Sequence, residues 1–326
     1  MRLKNIIDKL AAPFQGRRPG LALAVIRAGE TIAAEAFGCA DLAAGLPCAL
    51  DTNFRLASLT KPFTAMAILI LAERGALALD DPLSRFLPLR TSATLRQFLN
   101  HTSGVLDYEE LVPSGAAIPL RDRDVLALLQ AHPGAYFAPG AQFRYSNSGY
   151  ALLALVVEKV SGVSFAAFLR AQIFQPLGMS HTVAYEAGVS NIARRSLGYT
   201  MTPEEAVETD QDLTSSVLGD GGIYSSITDL RKWDEALYTG KLVSPSSLRQ
   251  AFSPGPLETD FPGSGYGFGW YLTTRRGFAC QWHYGSTCGF SSWLERVPDE
   301  RFCIILLANR RDAQLPEIAR ALQEAW

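Results

Sequence analysis

The chain has 326 residues, 48% hydrophobic and 19% charged, with 30 basic and 32 acidic side chains for a formal net charge of −2. That is enough apolar material for a large core and for two subdomains. No run of Lys or Arg is long enough to follow a phosphate backbone, which argues against nucleic acid as a partner. The longest apolar stretch, near Ala65 to Ala72, is too short to span a bilayer.

Leu3, Ile6, Ile7 and Leu10 share one helical face and predict an amphipathic first helix. Asp8 and Lys9 break the apolar run that a secretory leader needs, so a cytoplasmic location is expected. Cys39, Cys48, Cys280, Cys288 and Cys303 are odd in number and form no Cys-x-x-Cys; they read as buried thiols. Leu21 to Ile26 and Thr31 to Phe37 read as strands. An apolar run from Pro62 to Leu71, closed by Glu73, Arg74 and Gly75, predicts a buried helix with a glycine cap. Pro62 is tolerated only in a first turn, so that helix starts close to Ser58. Lys61 precedes the proline, a position biased away from helix.

From about residue 80 to 227 the pattern is mostly helix and loop, with helical pieces at Thr94 to Leu99, Asp122 to Gln130, Ala151 to Val160 and Phe165 to Phe174. Strand signals return at Cys280 to Tyr284, Ser291 to Val297 and Phe302 to Leu307, and Pro316 to Trp326 reads as a terminal helix. The expected fold is α+β. An antiparallel sheet from both chain ends (1–79 and 228–326) is flanked by helices, a mostly helical subdomain (80–227) is inserted, and the active site lies between them.

Three short motifs carry the chemistry. Ser58 and Lys61 are one helical turn apart, so a lysine whose proton affinity is lowered by burial can take the serine's proton. Tyr145 and Asn147 follow the Pro139-Gly140 loop signal and precede an apolar run; they are placed on a loop just before a helix. A phenol there can relay a proton, and an amide can bond both a lysine and a substrate carbonyl. His283, Tyr284, Gly285 and Ser286 follow the strand signal from Phe278 to Trp282. The glycine there permits close approach of a substrate backbone, and the Ser286 N–H can donate to an oxyanion.

Ser-x-x-Lys, Tyr-x-Asn and His-x-Gly in this order resemble the class C β-lactamase-like serine hydrolases, a group that includes D-alanyl-D-alanine carboxypeptidases, D-aminopeptidases and β-lactamase-like esterases. The stretches Phe98 to Val105, Gly219 to Ser225, Tyr266 to Trp270 and Ile304 to Asn309 are similar as well, so the resemblance runs from about Pro19 to the C-terminus. It implies the β-lactamase/transpeptidase-like fold and an acyl-enzyme mechanism. Ser58 is then the nucleophile, and Lys61 and Tyr145 share the acid and base roles. Asn147 positions substrate and Lys61, and the N–H groups of Ser58 and Ser286 form the oxyanion hole. The two free pKa values are close, so which of Lys61 and Tyr145 takes the proton stays open.

Where many lactamases carry Lys-Thr-Gly or Lys-Ser-Gly, this chain has His283-Tyr284-Gly285. A weaker cation and a bulky phenol there imply weak recognition of a substrate carboxylate. The expected substrate is a small ester or a D-amino-acid peptide or amide, ester first. Its rivals are a penicillin-binding carboxypeptidase or β-lactamase, and a non-catalytic binding protein on the same fold. Neither His132 nor His181 has metal-ligand spacing, and no metal or cofactor is expected. His101 is expected to organise a turn, and Asp220-Gly221-Gly222 to form a plain one.

Overall fold

The computed structural model describes residues 2–113 and 115–325. The last residue of the expected terminal helix, Trp326, lies outside them. Seven strands form the main sheet: β1 (Leu21–Arg27), β2 (Glu30–Phe37), β3 (Gly265–Tyr266), β4 (Tyr271–Arg275), β5 (Phe278–Thr287), β6 (Phe290–Val297) and β7 (Phe302–Ala308). Their order is β3-β4-β5-β6-β7-β1-β2, with every neighbouring pair antiparallel. The sheet is thus built from both ends of the chain. The principal helices are α1 (Arg2–Ala11), α2 (Lys61–Glu73), α3 (Asp122–Ala131), α4 (Asn147–Ser161), α5 (Phe165–Leu169), α6 (Ile227–Ala236) and α7 (Leu315–Glu324).

Side chains alternate across a strand, and here both faces are covered, so the central strands are apolar throughout. Leu21, Leu23 and Val25 of β1 join Ile304 and Leu306 of β7 on one face, under Ile7 of α1 and Leu315, Ile318 and Leu322 of α7. Ala22, Ala24 and Ile26 join Ile305 and Leu307 on the other face, where the core continues without a break into α2, α4 and α6. Eleven of the thirteen residues of α2, Lys61 through Leu71, are buried. A helix apolar on every side must run through a core rather than over it. Phe63 shows how tightly: its ring stacks on Trp233 at 4.1 Å.

The expected elements are present with shifted ends. The sequence places the start of α4 at Ala151, but the helix begins at Asn147, capped by Ser146 Oγ, which accepts from the Gly149 N–H at 3.1 Å. The run Phe165 to Phe174 is not one α-helix: after α5 the chain widens into a π-helical turn over Arg170–Phe174. All five cysteines are free. Four are buried as expected; Cys288, at the β5–β6 turn, is half-buried. Among the described residues no single helix is long and apolar enough to cross a membrane.

Candidate active site

A short 3-10 turn, Ala57–Thr60, runs directly into α2 and carries Ser58. Ala57 sits at φ 49°, a left-handed conformation that costs a non-glycine residue about 1 kcal/mol or more. Neighbours hold it there. The Leu56 N–H donates to Ile223 O at 2.8 Å, Ser292 Oγ donates to Leu56 O at 2.6 Å, and the Ile223 N–H donates to Thr60 Oγ1 at 3.2 Å. Lys61 is helical (φ −56°, ψ −39°) despite the proline after it. The half-buried Ser58 therefore stands at the mouth of a helix N-terminus, and Lys61, with no exposed surface, stands behind it.

Lys61 Nζ donates to Ser58 Oγ at 3.0 Å, to Asn147 Oδ1 at 2.8 Å and to the main-chain oxygen of Asp220 at 3.0 Å. An ammonium has three donors, and these acceptors use them all. Burial pushes the amine down to about 8, against the opposing pull of Asp220, Glu109 and Asp107. The amine also lies 4.8 Å from the centre of the Tyr145 ring. Burial drives the Tyr145 phenol well above its ordinary range, while a hydrogen bond with Ser58 pulls the other way. The amine and the phenol, close in free solution, are thus moved apart. Near neutral pH the lysine has an accessible neutral form and the tyrosine keeps its proton. When Lys61 is neutral, the Ser58 contact can reverse, with the hydroxyl donating to the amine.

Tyr145 lies in the loop before α4, whereas Asn147 is the first residue of the helix itself. Its amide bridges two charged groups: Oδ1 accepts from Lys61, and Nδ2 donates to Glu109 Oε1 at 2.9 Å.

The third motif lies inside β5, which runs on to Thr287, past the Tyr284 end of the strand signal. Strand β4 pairs with β5 only from Phe278 to Trp282. Beyond that point, among the described residues, the β5 edge has no strand neighbour on this side, and the Ser58 turn packs against it. Gly285 is required there: a Cβ would lie 2.0 Å from Leu56 O and 2.5 Å from Ser292 Oγ. The close approach is to the turn that carries Ser58.

His283 and Tyr284 point to opposite faces of the strand. His283 has no exposed surface. Its Nδ1 lies 2.7 Å from Tyr284 O, which can only accept, so Nδ1 carries the proton and Nε2 accepts from the Tyr266 hydroxyl at 2.9 Å. Burial, with Lys61 nearby, pushes this imidazole down to about 3. The weak cation expected at this position is a neutral ring that supports Tyr266. Tyr284, 36% exposed, extends an aromatic row with Trp282 and Tyr271, and Ser286 is exposed.

Asp220 was expected in a plain turn. Instead it belongs to a single helical turn, Leu218–Gly221, whose first amides are capped by Asp122: the Leu218 and Gly219 N–H groups each donate to its carboxylate at 2.9 Å. That cap aims the Asp220 carbonyl at Lys61. The Asp220 carboxyl is buried and pushed up by that burial; it accepts from the Tyr108 hydroxyl at 3.2 Å. The one local signal was a carboxylate set among Gly219, Gly221 and Gly222. Among the described residues no cluster of His, Cys, Asp or Glu could hold a metal ion.

The profile of the beta-lactamase family matches residues 3–325. The chain belongs to that family. A penicillin-binding protein of Bacillus subtilis (strain 168) is 34% identical over 302 residues, covering 87% of this chain; the chain spans 66% of that relative's length. The crystal structure of a penicillin-binding protein from Bacillus halodurans superimposes with a TM-score of 0.84 at 28% identity, covering 99% of both chains. That of the D-amino acid amidase from Ochrobactrum anthropi SV3 gives 0.85 at 26% identity, covering 99% of this chain and 97% of that one. The beta-lactamase-family fold expected from the motifs is therefore the fold observed.

Proposed function

We propose that this family member is a serine hydrolase that works through an acyl-enzyme on small D-amino-acid amides, peptides or esters. The observation that carries the reading is the 3.0 Å contact between Ser58 Oγ and a fully buried Lys61 amine. In its neutral form Lys61 takes the hydroxyl proton as Ser58 attacks the substrate carbonyl. Tyr145, proton-bearing beside Ser58, gives its proton to the leaving group and takes one back from Lys61, which restores both groups for the second half of the reaction. Asn147 holds the amine and meets the substrate carbonyl. The N–H groups of Ser58 and Ser286 receive the oxyanion; loss of one such donor costs about 10²–10³ in kcat in comparable sites. Water then releases the acid. The chain's own side chains suffice for these steps.

The sequence put esters first. The similarity to a D-amino acid amidase moves amides ahead. Two features count against a substrate carboxylate: His283 is buried and neutral, and the carboxylates of Glu109 and Asp260 stand by Asn147 and in the hollow of about 610 Å³ beside Tyr145. Tyr284 narrows the same side of the cleft. Division of the chain into a sheet subdomain (1–79 and 228–326) and a helical subdomain (80–227), with the cleft between, belongs to the same proposal. So does a cytoplasmic location, which the five unpaired thiols support.

The test is hydrolysis of D-alanine p-nitroanilide, its L-isomer, p-nitrophenyl acetate and a chromogenic cephalosporin. The reading expects turnover of the D-anilide and the ester, little of the L-isomer, and slow or no turnover of the cephalosporin. Efficient cephalosporin cleavage with an inert anilide would replace it with a β-lactamase.

A further inference from the structure

His101 follows the short helix Leu95–Leu99 and is 1% exposed, with φ at 60°. Its contacts converge on one residue. The Arg144 N–H donates to its main-chain oxygen at 3.0 Å, and the Ser146 N–H donates to its Nδ1 at 3.1 Å. Those are the two residues flanking Tyr145. The imidazole also lies against Tyr145 itself, ring centres 4.3 Å apart and planes tilted by 37°. Tyr266 at 4.5 Å and Tyr150 at 5.1 Å close the remaining sides.

We propose that His101 is a positioning residue for Tyr145, which it clamps by both neighbouring amides and by its ring so that the phenol stays beside Ser58. The inference rests on the reading of Tyr145 as the proton relay. A turn histidine needs only its backbone angle; this one spends its ring nitrogen and its carbonyl on the two amides that flank Tyr145 and one ring face on Tyr145 itself. The tautomer follows from the donors. Nδ1 accepts a main-chain amide, so Nε2 carries the proton, and it has no hydrogen-bond partner among the described residues. Protonating Nδ1 would break the clamp. Burial, together with the Lys61 charge, opposes that protonation.

Two substitutions separate the clamp from the turn. His101→Gly accepts the left-handed angle freely but removes the nitrogen and the ring. His101→Asn tolerates the same angle and offers Oδ1 where Nδ1 stood. With D-alanine p-nitroanilide, whose departing anilide needs a proton, His101→Gly is expected to lose about a hundredfold in kcat with KM little changed, as a displaced reacting group does. His101→Asn should recover about tenfold of that loss, since it restores the accepting atom but not the ring. In a Tyr145→Phe background, His101→Gly should add no further loss. If the glycine variant melts below the assay temperature, His101→Gln replaces it, its amide oxygen lying one bond too far out. Parent-like kcat in His101→Gly or His101→Gln beside an inactive Tyr145→Phe overturns this inference alone. So does a loss that persists undiminished in the Tyr145→Phe background, or one confined to KM. Parent-like turnover by Tyr145→Phe itself overturns the Tyr145 assignment and this inference with it.

Discussion

Lys61 and Asp220 meet through the main chain: Lys61 Nζ donates to the Asp220 carbonyl oxygen at 3.0 Å. This bond, with the one to Asn147, fixes the amine so that its remaining contact is with the serine. Burial sets the amine's proton affinity and the two acceptors set its direction.

The first prediction concerns pH. With Lys61 pushed down to about 8, kcat/KM for a neutral ester should rise with pH and level off above that value. Below it the rate should fall about tenfold per unit, since only the neutral amine can accept the serine proton. Tyr145 is driven well above 10, so it should cause no decline below that pH. Asn147→Asp places a carboxylate where Oδ1 now stands, 2.8 Å from the amine. An opposite charge favours the protonated amine, so the acid limb should move up by about one unit or more. A limb that stays in place would assign the titration to another group.

A second prediction uses Gly285. Alanine there puts a carbon 2.0 Å from Leu56 O, so the Ser58 turn or the β5 edge must move. A shift of about 1 Å at the reacting atoms is enough to cost about a hundredfold. Gly285→Ala should therefore lose activity steeply, measured as kcat/KM on p-nitrophenyl acetate. Normal kinetics in this variant would show that the turn does not depend on the close approach.

The sequence carried the site unevenly. Ser58 and Lys61 were legible because helical spacing and the Pro62 constraint are local. The sheet was legible because β1 and β7 are short, unbroken apolar runs, as strands covered on both faces are, whichever segments they meet. The neutrality of His283 was not. It depends on Tyr266 arriving from another strand and on burial by segments remote in the chain. Asp220 was hidden for a like reason: three glycines signal a turn, and only the cap from Asp122, 98 residues earlier, turns that segment into a helical turn aimed at Lys61. His101 read as a turn residue from its neighbours, because the aromatic rings around it come from distant segments.

A third prediction tests the core. Arg296 Nε donates to Asp234 Oδ1 at 2.8 Å, and the two side chains are 1% and 4% exposed. Arg296 Nη1 also donates to Gln281 Oε1 at 2.8 Å. Asp234→Ala leaves a buried guanidinium charge without its counter-ion, which costs about 3–5 kcal/mol. Urea unfolding should show that loss. A change below about 1 kcal/mol would place the pair with solvent-exposed bridges.

A fourth prediction follows from the third motif. With His283 buried and neutral, the cleft lacks the cation that a lactam carboxylate would meet there, and Tyr284 occupies the adjoining space. A fluorescent penicillin should label the protein weakly and turn over slowly or not at all. Tyr284→Ala should relieve the crowding without supplying a charge, and so raise labelling only modestly. Rapid hydrolysis by the unaltered protein would show that the aromatic row does not exclude the carboxylate.

The most direct measurement is the mass of the intact protein quenched during turnover of p-nitrophenyl acetate. The account predicts a single added acetyl group, mapped by peptide fragmentation to Ser58 and missing from Ser58→Ala, which should also lose ester turnover. An acyl group on another residue, or equal turnover by Ser58→Ala, would contradict it.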